Sequence, residues 1–69
     1  MSESVVRKCG PWTVVLRQSQ DTTLPWRADA SLHFDHEFAE GLDAEQALTT
    51  VALKIGAAPA DLLREFGLQ

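Results

Sequence analysis

His33, Asp35, His36 and Glu37 form the densest set of chemistry-bearing side chains in the sequence. Imidazoles and carboxylates are the donor types that a divalent metal or an acid–base pair would use. On one extended strand, however, positions 33 and 36 point to opposite faces, so the two imidazoles converge only across a turn. The chain has two His and one Cys, so no distant pair completes a tetrahedral set. Neither a metal nor another cofactor is expected. Cys9 follows Arg7 and Lys8, but a nucleophilic thiolate also needs a base nearby. Beside Gly10 it reads instead as a small hydrophobe at a strand end. The four glycines (10, 41, 56 and 67) are too scattered for a phosphate-cradling loop. No carboxylate pair has the apolar surroundings that separate two pKa values for acid–base work. Catalysis is therefore not expected.

What the chemistry-bearing residues offer instead is charge. Between Arg27 and Lys54 there is no Lys or Arg, and that gap holds Asp29, Asp35, Glu37, Glu40, Asp43 and Glu45. Asp29, Asp35 and Glu37 share odd parity, which is the polar side of an alternating strand, while Glu40, Asp43 and Glu45 cluster at a helix start. Acids in a first helical turn complement the helix dipole, which accounts for Asp43 and Glu45 without a partner. Like-charged neighbours on a strand cost stability and so imply a use. The expected contact set is Asp29, Asp35, Glu37 and Glu40, with Glu45 at its margin. Such a patch speeds encounter with a basic surface and selects partners.

The rest of the composition agrees. Lys and Arg total 6 against 10 Asp and Glu, for a formal charge of -4 and a pI near 4.9. That balance disfavours direct binding to nucleic acid or to an anionic membrane, both of which reward cations. A basic protein surface is the natural partner. The chain is 69 residues long, 45% hydrophobic and 23% charged, values of a folded chain with one core and little room for a deep cleft. No segment suits a signal peptide or a membrane span, and a lone cysteine fits a reducing compartment, so a cytoplasmic location is expected.

The elements that must position these acids follow from periodicity. Residues 1–4 read as a flexible start and 5–69 as one domain. Val5 and Val6 begin a short strand that Gly10-Pro11 interrupts. Trp12–Arg17 is rich in β-branched and aromatic residues, with Trp12, Val14 and Leu16 on one face. Ser19–Pro25 is a polar hairpin loop. Next, Trp26, Ala28, Ala30, Leu32, Phe34 and Phe38 occupy even positions opposite polar odd ones, a strand half-buried on its even side. This run is long for one strand, so a turn near Asp35–Glu37 is expected to split it. Gly41-Leu42 ends the sheet, and Asp43 with Gln46 caps a helix. Leu48, Val51, Ala52 and Ile55 form its apolar stripe, and Gly56 ends it. Pro59 opens a second short helix through Leu62, Leu63 and Phe66, closed by Gly67. Its Arg64 faces Asp61 and Glu65, without the cations of a DNA-reading helix. The expected fold is α+β: an antiparallel sheet of three strands, or four if Val5-Val6 joins, with both helices on one face in the order β-β-β-α-α. Trp12 and Trp26 are expected in the core.

From Trp12 to Ile55 the chain resembles HicB-type antitoxin domains. Trp-Thr-Val-Val-Leu-Arg, a polar turn, a second strand, and Glu45-Gln46-Ala47-Leu48 entering a helix follow that family's β-β-β-α core. Phe34-Asp35-His36-Glu37 stands where the family has an Asp-Leu-Pro-Gly-Cys-like stretch. The resemblance implies an antitoxin that masks a small basic ribonuclease. In size and acidity the chain is also similar to phage-encoded inhibitors, including anti-CRISPR proteins, many of which occupy a cationic nucleic-acid channel. That likeness implies a bacterial protein or nucleoprotein complex as partner and the bacterial host cytoplasm as location. The domain is expected to be a monomer, or a weak homodimer where an edge strand pairs two copies.

Overall fold

A computed structural model describes residues 4–20 and 23–68. Strand β1 spans Ser4–Cys9, β2 Trp12–Gln18, β3 Trp26–Leu32 and β4 Asp35–Gly41; helix α1 spans Ala44–Lys54 and α2 Pro59–Glu65. The strands form one antiparallel sheet in sequential order. The sheet therefore has four strands, and the order is β-β-β-β-α-α. The N-terminal valines belong to a complete edge strand, with Val5 opposite Leu16 and Val6 opposite Val15. Of the expected flexible start only Ser4 is described, and it opens β1.

The turn between β3 and β4 differs most from the expectation. It lies at His33-Phe34, not at residues 35–37, and His33 adopts the left-handed φ of 52°. A two-residue loop leaves Leu32 opposite Asp35, so even positions of β3 pair with odd positions of β4. Ala28 faces Ala39, Ala30 faces Glu37 and Asp29 faces Phe38. Directly opposed residues share a face of the sheet, so the buried parity inverts across the turn. Phe34 and Phe38, expected on the buried side, are consequently exposed, Phe34 fully and Phe38 to 43%. Ala39 takes the buried place instead.

One face of the sheet carries the core. Val14, Leu16, Ala28, Ala30 and Ala39 pack there against Ala47, Leu48, Val51 and Ala52 of α1 and Leu62 and Leu63 of α2. Trp12 and Trp26 are half-buried at its margins. Helix α1 lies over β3 and β4, and α2 contacts α1 and β1. Three alanines under α1 give a shallow surface that lets the helix settle close. Gly41 takes this furthest, since a Cβ there would lie 2.7 Å from the backbone nitrogen of Ala47.

The helix ends obey local chemistry. Asp43 Oδ1 accepts the Gln46 N–H at 2.7 Å, and Gln46 Oε1 accepts the Leu42 N–H at 2.7 Å, a reciprocal cap of the first turn. At the far end Ala57 N–H donates to Ala52 O at 2.9 Å and Gly56 N–H to Leu53 O at 3.4 Å, with Gly56 at φ 74°. That is a Schellman closure, and α2 repeats it through Gly67 and Leu68.

Candidate functional site

The second face of the sheet carries no helix. Three cross-strand rows cover it: Lys8, Thr13, Ser31 and His36; Val6, Val15, Asp29 and Phe38; Ser4, Arg17, Arg27 and Glu40. Arg17 and Arg27 stand directly opposite each other, a like-charge pair that costs stability unless bridged. Asp29 bridges them. Its Oδ2 lies 3.1 Å from Arg17 Nη2 and 3.1 Å from Arg27 Nε, and its Oδ1 lies 3.2 Å from His36 Nε2. Burial pushes the Asp29 carboxyl up, but hydrogen bonds from Arg27 and Arg17 outweigh this and hold it below the usual carboxylate value. The same bond raises Arg27. Arg27 also stacks on Phe38, with its guanidinium carbon 4.2 Å from the ring centroid.

The five acids of the expected patch thus divide. Asp29 is only 8% exposed and its charge is answered within the fold, so it belongs to the ion cluster. Asp35, Glu37 and Glu40 lie together on β4, which is a free edge of the sheet. The parity inversion turns Asp35 and Glu37 toward the helix side and Glu40 toward the open side. The three acids therefore flank both faces of one edge, where the expectation had Asp35 and Glu37 share a face with Asp29. Glu45 follows in the first turn of α1. Asp35, Glu37, Glu40 and Glu45 have no ion-pair partner among the described residues.

Three features escaped sequence reasoning. Phe34 stands fully exposed at the tip of the β3–β4 hairpin, beside Asp35. The usual signal for such a turn is Asn-Gly or Asp-Gly, and His33-Phe34 gives none. Lys54, in the last turn of α1, reaches round the β4 edge: its Nζ donates to Phe38 O at 2.9 Å and lies 5.5 Å from the Phe38 ring. A cationic cover of an outward carbonyl discourages strand addition along that edge. Finally, the paired arginines line a cleft of about 370 Å³ with Gln18, Ser19 and Gln20.

The metal- and nucleophile-type residues are dispersed. His33 sits in the turn, and His36 Nε2 lies 3.2 Å from Asp29 Oδ1 on the open face. Among the described residues no three His, Cys, Asp or Glu side chains gather closely enough to hold a metal ion. The Cys9 thiol is half-buried against the core and pushed up, first by burial and then by Asp61 and Glu65, so it is a thiol at neutral pH. No described helix is long and apolar enough to cross a membrane. No protein-family model matches the chain, and no curated protein or solved structure matches it either.

Proposed function

We propose that this protein is a non-catalytic inhibitor that binds a basic, nucleic-acid-binding surface of a bacterial protein or nucleoprotein complex through its β4 edge. The observation that carries this reading is the fully exposed Phe34 at the hairpin tip beside Asp35 and Glu37 of edge strand β4, acids without an ion-pair partner among the described residues. Aromatic anchors supply most of the affinity at protein interfaces, and surrounding charges supply rate and selectivity. Glu40 and Glu45 extend the acidic margin toward α1. Carboxylates set along both faces of this edge meet the Lys and Arg of a channel that binds phosphates, and occupying it excludes the nucleic acid.

The test is affinity capture from bacterial lysate at low and high salt, with retained proteins identified by mass spectrometry. Recovery of a nucleic-acid-binding protein or complex, lost at high salt and displaced by added nucleic acid, supports the reading. Recovery of one small basic ribonuclease, held at high salt, replaces it with the antitoxin that the HicB-like element order implies.

A further inference from the structure

The two free edges of the sheet carry opposite charge. Strand β1 holds Arg7 and Lys8 and no acid, while β4 holds Asp35, Glu37 and Glu40 and no Lys or Arg. Three antiparallel pairings leave β1 and β4 antiparallel to each other, so β1 of a second copy has the right direction to add to β4. Each edge strand adjoins a two-residue loop, Gly10-Pro11 after β1 and His33-Phe34 before β4. The residues flanking such a loop, Cys9 with Trp12 and Leu32 with Asp35, bond each other, and bonding alternates from there. Ser4, Val6 and Lys8 on one edge and His36, Phe38 and Glu40 on the other therefore turn their backbone groups outward.

Continuing the cross-strand rows into a second copy sets Val6 opposite Phe38 at the centre of both edges and Arg7 opposite Glu37. Every outward residue of β1 then meets an outward residue of β4, and directly opposed unlike charges favour the register. A head-to-tail contact of this kind does not close and grows into filaments. The two carbonyls at its centre, however, are already taken. Lys54 Nζ donates to Phe38 O at 2.9 Å, and Arg7 Nη1 donates to Val6 O at 2.8 Å. Arg7 can exchange that bond for Glu37 of an arriving copy. Lys54 gains nothing in exchange, and it is also held 5.5 Å from the Phe38 ring, on which Arg27 stacks.

We infer that Lys54, backed by Arg7 on the opposite edge, closes the sheet to a second copy of this chain, whose β1 adds to β4 once that cap is gone. The domain is accordingly a monomer. This goes beyond the inhibitor reading and is tested on the protein alone, so either can fail without the other.

Sedimentation equilibrium over a range of protein concentrations reads it directly, with circular dichroism to confirm folding. K54M keeps the apolar stem and loses the charge and the donors. The lost cap is one hydrogen bond from a charged group, so association is expected to rise about tenfold or more. The mass of K54M should climb with concentration past that of a dimer. Wild type, K54R and R64M, the last losing the same charge away from both edges, should stay monomeric, and K54M/E37K should return to monomer. Any of four results overturns the inference: K54M monomeric throughout, R64M assembling as strongly as K54M, K54M/E37K still assembling, or wild type already assembling.

Discussion

The two faces of this sheet are built from the same four strands and do opposite things with them. The covered face is apolar and shallow, with Ala28, Ala30 and Ala39 under a helix that supplies Leu48 and Val51. The open face spends its central positions on charge, with Arg17, Arg27 and Asp29 where a second hydrophobic layer would otherwise form. The covered face sets stability through packing, which is sensitive to single methylenes. The open face sets geometry through charge-assisted hydrogen bonds, which fix side-chain direction and depend on pH. The comparison teaches that an acidic chain can keep a locally cationic surface, and that its unpaired acids are displaced to the β4 edge and the helices.

The sharpest break between the faces comes from truncation. Leu48→Ala, at a fully buried site, is expected to cost about 2–5 kcal/mol, enough to unfold much of so small a domain in urea. Phe38→Ala on the open face, where the ring is 43% exposed, should cost far less, near 1 kcal/mol, mainly the stacking with Arg27. Comparable losses in denaturant titrations would mean that the open face is part of the core. Gly41→Ala probes the close seat of α1 on β4: a Cβ 2.7 Å from a backbone nitrogen forces a shift costing about 1–3 kcal/mol.

Asp29→Asn sharpens the charge side of the comparison. It leaves Arg17 opposed to Arg27 and should cost about 1–3 kcal/mol at neutral pH. Because the folded carboxyl lies below its ordinary value, its contribution is complete above the unfolded value of about 3.9 and is lost as pH falls through the folded one. The wild type should therefore lose stability through that acid window by more than the variant does, measured by thermal melts across pH. Equal acid dependence would remove Asp29 from the account. The smallest effect belongs to His33→Gly, which relieves a left-handed φ of 52° at some entropic cost and should stabilise by less than about 1 kcal/mol.

Local signals in the sequence were reliable and one non-local rule was not. Asp43, Gln46, Gly56, Pro59 and Gly67 act through neighbours within a few residues, and each sits where its chemistry requires. The strand faces up to Leu32 were legible for the same reason, as was the placement of both helices on one side. What could not be read was the length of the β3–β4 loop. Alternation continued through His33-Phe34 as though no turn intervened, and a two-residue loop inverts which parity is buried. A turn expected at residues 35–37 and found at His33-Phe34 therefore carried Phe34 and Phe38 out of the expected core and Asp35 and Glu37 away from Asp29. The bridging role of Asp29 depends on Arg17, twelve residues away and aligned only by register. Periodicity within one strand has no access to that.

The β4 edge is tested most directly by moving the same charge at two places. D35K/E37K and D61K/E65K each replace two acids by two lysines, one pair on β4 and the other on α2. Retention of the captured partner at low salt is then compared among both variants and the wild type, with circular dichroism to confirm folding. The account predicts that D35K/E37K loses the partner while D61K/E65K keeps it. Equal loss in both would show that net charge alone drives the association, and retention by D35K/E37K would contradict the assignment of the β4 edge as the binding site.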